Sequence, residues 1–227
     1  MSDLASRLRS VRDSVSEECR RLNRAEPTLI VVTKNHPVEL ASQLYELGES
    51  VFGENRVQEA LPKSQAFATL HPEAEVSWNL IGQLQRNKVK QALEFAHSIH
   101  SLDRDSLLTE LIKRTLNRPM PLEVFIQVNL TDDPDRGGVA PAELFHFADK
   151  VASCNTLALA GIMAVAGLDV DPSRDFERVA NLSENLVLKH PQASGRSIGM
   201  SGDYIEALSF GATHLRIGTA ITGNRTN

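Results

Sequence analysis

The sequence predicts an α/β fold in which eight parallel strands alternate with helices and close into a barrel. Strand-like apolar runs and amphipathic helical stretches alternate eight times over 227 residues, a length that suits one barrel of this type. No GxGxxG pattern follows the first strand, which disfavours a doubly wound dinucleotide-binding sheet. No linker, charge block or low-complexity tract interrupts the alternation, so residues 1–227 are predicted to form a single domain.

An extra helix is predicted before the first strand. Its apolar residues recur at steps of three and four and form one stripe, made of Leu4, Leu8, Val11, Val15, Cys19 and Leu22. Pro27 ends this segment. The first strand, residues 28–33, is apolar on both faces, as a strand must be when helices cover one side and the barrel interior packs on the other.

The same alternation predicts the remaining elements. The other strands are predicted at 51–53, 76–81, 97–100, 122–129, 157–165, 197–200 and 214–217. Helices are predicted from Pro37, from about Arg56, over 85–95, over 103–117, from Pro141, over 175–189 and over 203–210. This set of elements predicts a (β/α)8 TIM barrel with an extra N-terminal helix.

Composition and charge exclude several classes of function. A net charge of −5 argues against binding to nucleic acids or anionic membranes, since both need a basic excess. The longest apolar stretch, residues 157–168, is too short to span a bilayer, and the chain starts without a signal-peptide pattern. Cys19 and Cys154 form no CxxC motif, and the histidines show no metal-binding spacing. We therefore expect a cytoplasmic protein without a metal site.

Lys34 follows the first strand directly, at the end of the barrel where chemistry is usually found. Desolvation in the barrel mouth, or nearby cations, would favour the uncharged amine. Such an amine can attack a carbonyl carbon and form a Schiff base. The alternative is a lysine that reaches out of the barrel rim and pairs with a carboxylate.

The loops after the last two strands predict a phosphate site. Ser201 and Gly202 follow the seventh strand, and Gly218 and Thr219 follow the eighth, which is where barrels of this type commonly bind phosphate. Taken singly, Ser201 could be a helix cap and Gly218 a turn residue. Together with a lysine after the first strand, the two loops favour a phosphorylated carbonyl compound. Pyridoxal 5′-phosphate (PLP) is one such compound.

Arg216 lies in the eighth strand and would project into the same mouth. If it faces the pyridine nitrogen of PLP, its charge keeps that nitrogen unprotonated and weakens the ring as an electron sink. The alternative is an ion pair at the barrel rim.

Eight segments resemble the PLP homeostasis protein family, whose fold is similar to the N-terminal barrel of alanine racemase, a fold-type III PLP barrel. The matching segments, in order along the chain, are 31–34, 52–59, 78–88, 100–104, 126–129, 161–163, 199–203 and 216–223. The resemblance implies seven cofactor-binding residues: Lys34 as the Schiff-base lysine, Asn55 beside the cofactor, Met200 in the pocket wall, Arg216 opposite the ring nitrogen, and Ser201, Gly218 and Thr219 around the phosphate.

Three positions depart from the family pattern. Arg56 stands where the family usually has tyrosine, and Asn79 stands where it usually has histidine. Arg136 stands in the loop after the fifth strand, where a lysine is common. An arginine cannot form a Schiff base, so an accessory PLP-carrying role of that loop is not expected in this chain.

The resemblance implies a protein that stores, buffers or delivers PLP and has little or no catalytic activity. PLP-dependent apoenzymes are candidate recipients of the cofactor. One alternative is a PLP-dependent amino-acid racemase, and another is a barrel enzyme that acts on a phosphosugar.

Racemisation needs a base on each face of the substrate carbon. In the similar racemases, the second base is a tyrosine from the C-terminal domain and the partner subunit. We expect that domain, and the dimer interface it supplies, to be absent here, so a monomer is predicted. Tyr204 is the tyrosine nearest the predicted mouth, and it could equally be a packing residue.

Overall fold

The structure is a computed structural model that describes residues 3–131, 133, 136–167 and 171–223. Its strands are β1 (Thr28–Val32), β2 (Val51–Glu54), β3 (Ser77–Leu80), β4 (Ala96–Leu102), β5 (Leu122–Gln127), β6 (Leu157–Met163), β7 (Gly195–Ser197) and β8 (His214–Ile217). They pair in parallel and in chain order, and the pairing of β1 with β8 closes the barrel. The predicted (β/α)8 barrel with an extra N-terminal helix is confirmed.

Helices surround the barrel. They are α1 (Asp3–Arg21), α2 (Val38–Glu46), α3 (Val57–Leu70), α4 (Val89–Ala92), α5 (Asp105–Thr115), α6 (Leu144–Ala152), α7 (Pro172–Lys189), α8 (Tyr204–Ser209) and α9 (Thr219–Thr222). The first helix, α1, packs against α8 and α9. None of the helices in the described part of the chain combines the length and the apolar character that crossing a bilayer needs.

Three elements differ from the prediction. The helix predicted over 85–95 is a 3-10 turn, Arg86–Lys88, followed by the short helix α4, which ends at Ala92. Strand β7 ends at Ser197 rather than continuing to residue 200, because Gly199 adopts a left-handed backbone with φ +89°. The helix α9 was not predicted, since its four residues are too few to show a periodic pattern.

The barrel has two packed layers. Most buried apolar side chains form one cluster between the strands and the helices, and Leu215 and Ile217 of β8 belong to it. Four buried apolar residues lie outside that cluster: Ile30, Val32, Phe125 and Met163. A Cβ atom on Gly53 would touch Ile30 and Val32, which face the barrel interior. Side chains at alternate strand positions thus fill a separate inner layer.

Candidate functional site

Lys34 lies in the loop between β1 and α2, two residues after the last residue of β1. Its side chain is exposed at the carboxyl end of the barrel. Of the two causes expected to favour the uncharged amine, desolvation and nearby cations, desolvation by burial is wrong, because the mouth leaves the side chain in water. The amine is therefore accessible to a ligand that arrives from solvent.

Helix α3 holds the backbone on both sides of Lys34. On one side, Lys63 Nζ donates a hydrogen bond of 2.7 Å to the Thr33 carbonyl oxygen. On the other, the Asn35 backbone N–H donates to Glu59 Oε2 at 3.2 Å, and Asn35 adopts a left-handed backbone with φ +62°. The exposed lysine thus stands on a loop whose peptide groups are fixed.

A buried ion pair lies beneath this loop. Lys63 Nζ lies 2.5 Å from Glu54 Oε1, and the Thr33 hydroxyl donates to the same oxygen at 2.7 Å. Glu54 is fully buried, and its other oxygen, Oε2, has no hydrogen-bond partner among the residues that the structure describes. Burial raises the pKa of the Glu54 carboxyl, while the hydrogen bonds from Lys63 and Thr33 oppose the rise. This pair connects the end of β2 to the loop of Lys34.

Backbone amides converge on the Ser201 hydroxyl. The N–H groups of Gly218 and Ala220 both donate to Ser201 Oγ at 3.2 Å. The β7–α8 loop is held in turn by the Met200 N–H, which donates to Asp203 Oδ1 at 2.5 Å. Two amide donors that meet at one oxygen could donate to phosphate oxygens instead.

Arg216 points into the barrel and is only 4% exposed. Its Nη1 donates to the Ser197 carbonyl oxygen and, at 2.8 Å, to the Ser197 hydroxyl, while Nη2 donates to Ala164 O at 2.9 Å. Within the described residues, the third nitrogen, Nε, donates no hydrogen bond, and it is not sealed from solvent. Burial lowers the pKa of Arg216 to about 10, with Asp203 opposing, so the side chain stays charged at neutral pH. One N–H of a fixed cation is left for a ligand.

Asn55 follows β2 and is half-buried beside a cleft of about 260 Å³ that Gln83 and Lys88 also line. Gly82, which follows β3, packs directly against Asn55. A Cβ atom on Gly82 would lie 2.3 Å from the Asn55 carbonyl oxygen. The glycine thus permits a close backbone approach that any other residue would block.

Four adjacent strands bring the predicted site residues to one end of the barrel. In the closed order β7, β8, β1 and β2, the loop of Ser201 is followed by Arg216, Gly218, the loop of Lys34 and then Asn55. A Cβ atom on Gly218 would lie 3.5 Å from Val32, so the ends of β8 and β1 are in contact. Met200 and Thr219 are exposed at the edge of the same group.

The residues that depart from the family pattern have defined surroundings. Arg56 is largely exposed and pairs with Glu59 at the start of α3. Asn79 is buried inside the barrel, where its Oδ1 accepts a hydrogen bond from the Ser98 hydroxyl. Arg136 Nη2 donates to Ala166 O at 3.3 Å.

The described residues contain no group of three or more histidine, cysteine, aspartate or glutamate side chains that could hold a metal ion.

Two sets of residues around the site were not predicted from the sequence. The first set, Glu54, Glu59 and Lys63, supports the Lys34 loop, and the spacing of Glu59 and Lys63 on one helix face was its available signal. The second set lies inside the barrel and includes His100 and Ser197. Its signal is the pair of polar residues at alternate positions of β4, Ser98 and His100, which alternation places on one face of the strand.

The match to known proteins covers nearly the whole chain. Residues 7–226 match the family model described as the N-terminal domain of alanine racemase. This chain belongs to that family. The resemblance predicted from the sequence is confirmed by two relatives, both named pyridoxal phosphate homeostasis protein. The one from Vibrio cholerae is 37% identical and aligns over 94% of this chain and 91% of its own length. The one from Escherichia coli is 35% identical over 99% and 98% of the two chains.

Solved structures of other proteins have the same architecture. PipY from Synechococcus elongatus, solved with PLP bound, is 31% identical to this chain with a TM-score of 0.85, and the alignment covers 97% of this chain and all of PipY. Alanine racemase from E. faecalis is 19% identical with a TM-score of 0.70, and this chain covers 57% of that protein. At that identity, the likeness to the racemase concerns the fold alone.

Proposed function

We propose that this chain binds PLP and stores, buffers or delivers it, with little or no catalysis. The observation that carries the proposal is the meeting of an exposed amine, converging amides and a buried guanidinium at one barrel mouth. The names of the Vibrio and Escherichia relatives, and the PLP bound to PipY, support the same cofactor for this chain.

The residues present fit this cofactor. PLP supplies an aldehyde carbon that a lysine amine can capture, and we assign that lysine as Lys34, the exposed amine on a fixed loop. The N–H groups of Gly218 and Ala220, with the Ser201 hydroxyl, would hold the phosphate. The remaining assignments follow the resemblance: Asn55, Met200 and Thr219 contact the cofactor.

Arg216 supports the assignment of a carrier over that of a racemase. Its Nε–H is the free donor of a cation that stays charged at neutral pH, and we assign it to the pyridine nitrogen. A cation there keeps the nitrogen unprotonated, which weakens the stabilisation of negative charge on a substrate carbon. Tyr204 is partly buried and packs against the hydrophobic core, as a structural residue does.

The test is a visible absorbance spectrum of the protein mixed with PLP. The wild type is expected to show a Schiff-base band, and borohydride should fix the cofactor onto Lys34, as peptide mass spectrometry would report. Lys34→Ala should lose both signals. The matched control is Lys113→Ala, which removes an exposed lysine from α5 and should keep them.

The outcomes separate the parts of the proposal. Absence of a band in the wild type would contradict PLP binding, and an equal band in Lys34→Ala would contradict the assignment of the lysine. Measurable turnover of a free amino acid by the loaded wild type would contradict the carrier role and favour a racemase-like enzyme. Thermal protection by a phosphosugar rather than PLP would favour the phosphosugar enzyme.

The remaining features are predictions. We propose a monomeric, cytoplasmic protein that passes PLP to apoenzymes, and size-exclusion chromatography with light scattering would measure the oligomeric state.

A further inference from the structure

A chain of hydrogen bonds crosses the barrel interior and ends at Arg216. Its members lie on β3, β4, β7 and β8, and each is at most 6% exposed: Asn79, Ser98, His100, Ser197 and Arg216. Interiors of such barrels are usually filled by branched aliphatic side chains. Polar groups cost free energy to bury unless each has a hydrogen-bond partner, so the members of this hydrogen-bond chain must bond to one another.

At one end of the hydrogen-bond chain, Asn79 fixes which atoms donate and which accept. Its Nδ2 atom faces two backbone carbonyl oxygens, Phe52 O at 3.1 Å and Ser77 O at 3.3 Å. Carbonyl oxygens only accept, so this atom is the amide nitrogen and Oδ1 is the atom that faces Ser98. The Ser98 hydroxyl therefore donates its single proton to Asn79 Oδ1, at 2.6 Å.

The protons on the rest of the chain follow from the two ends. His100 Nε2 lies 2.8 Å from Ser98 Oγ, whose proton is already committed, so Nε2 must carry a hydrogen and donate. At the other end, Arg216 Nη1 can only donate, and it lies 2.8 Å from Ser197 Oγ. The Ser197 hydroxyl is then free to donate to His100 Nδ1, also at 2.8 Å.

This pattern needs a neutral His100. If both ring nitrogens carried protons, the hydroxyl of Ser197 would have no acceptor for its own proton within the chain. The surroundings agree: burial and the charges of Arg216 and His214 lower the pKa of His100 well below its usual value. The His100 ring also stacks on Phe125, with 4.2 Å between centroids, which fixes its orientation.

We propose that neutral His100 is a positioning residue for Arg216. Its Nδ1 accepts a hydrogen bond from the Ser197 hydroxyl, which leaves the Ser197 oxygen to accept from Arg216 Nη1 and keeps the Nε–H directed at the ligand. This inference rests on the proposed function, in which Arg216 faces the pyridine nitrogen of PLP. It adds a group that never touches the cofactor yet controls the cation beside it.

The first test uses the protein without cofactor. Nitrogen-15 NMR of the imidazoles is expected to show His100 with its proton on Nε2 and with no titration between about pH 8 and pH 5. A proton on Nδ1, or an imidazolium at pH 6, would contradict the proposal whether or not PLP binds. This measurement needs no variant, so a folding defect cannot obscure it.

The second test compares variants loaded with PLP. His100→Phe keeps the ring stack but removes the Nδ1 acceptor, and Ser197→Ala removes the link itself. In both variants, borohydride should still fix PLP onto Lys34. The dissociation constant for PLP should be about tenfold higher than in the wild type, and the pH titration of the cofactor band should be shifted. The matched control is His214→Phe, since His214 also faces Phe125 but hydrogen-bonds to Thr213 and not to a member of the hydrogen-bond chain. Its dissociation constant for PLP should stay within about twofold of the wild-type value.

The outcomes distinguish this inference from the function on which it rests. If the wild type is not trapped on Lys34, the proposed function fails. If all variants are trapped and both His100→Phe and Ser197→Ala keep the wild-type dissociation constant and band titration, PLP binding stands and the positioning role of His100 is wrong. A shift in His214→Phe equal to that in His100→Phe would also overturn it, because any buried ring would then have the same effect.

Discussion

His214 lies inside the barrel, with its ring centroid 5.0 Å from that of Phe125. Burial, and then the charge of Arg216, lower its pKa from 6.5 to about 4. The unfolded chain therefore binds a proton at this residue near pH 6.5, whereas the folded chain does so only near pH 4. Between these values the unfolded state holds more protons, so the free energy of unfolding falls as pH falls. The neutral form of this half-buried histidine is thus part of what keeps the barrel folded.

From this shift we predict an acid-sensitive stability. Between pH 7 and pH 5, the free energy of unfolding should drop by about 2 kcal/mol more in the wild type than in His214→Phe, because phenylalanine binds no proton in either state. Urea denaturation at both pH values measures this difference. Equal drops in the two proteins would mean that His214 titrates normally in the fold.

At the scale of elements, α3 supports the Lys34 loop through one buried ion pair. Lys63 pairs with the buried Glu54 carboxylate, and it also donates a hydrogen bond to the Thr33 carbonyl oxygen. A buried carboxylate without a cation costs more free energy than the pair contributes when intact. The helix and the loop are therefore coupled through charge as well as through packing.

We predict that Lys63→Met lowers the free energy of unfolding by about 3–5 kcal/mol, since it leaves the Glu54 charge buried and unpaired. The double variant Glu54→Gln with Lys63→Met should recover a large part of that loss, because no charge is then buried. Chemical denaturation of both proteins gives the comparison. Additive losses from the two substitutions would show that the pair is not coupled in this way.

At the scale of the whole molecule, the first and last described helices meet. Arg7 of α1 donates from Nε to the Ile221 carbonyl oxygen of α9 at 2.7 Å, and α1 packs against α8 and α9. The segment that carries Gly218 and Ala220 is therefore held from outside the barrel by the extra N-terminal helix.

We predict that Arg7→Ala increases hydrogen exchange in α9 and at the Gly218 and Ala220 amides while the barrel strands keep their protection. Hydrogen exchange followed by mass spectrometry reports both regions at once. Arg9→Ala is the matched control, since Arg9 is an exposed arginine of the same helix. Equal exchange in the two variants would place the support of α9 elsewhere.

The sequence was sufficient for the strand order and for the loops of Lys34, Ser201 and Gly218, because apolar runs followed by polar residues and glycine are local signals. It was not sufficient for the hydrogen-bond chain through His100. That chain depends on which side chains face inward and on contacts such as His100 with Ser197, which are 97 positions apart. The exposure of Lys34 also escaped prediction, because the depth of a loop in the mouth depends on how its neighbours are held. The roles assigned to the seven site residues stay predictions.

The inner layer, which mixes apolar and polar side chains, has a consequence for how the protein responds to temperature. Apolar surface raises the heat capacity when unfolding exposes it to water, and polar surface lowers it. The layer between strands and helices is aliphatic and aromatic, whereas the inner layer adds Asn79, Ser98, His100 and Ser197. The heat-capacity change of unfolding therefore comes mainly from the outer layer. Substitutions among the inner polar groups should change the height of the curve of stability against temperature more than its curvature.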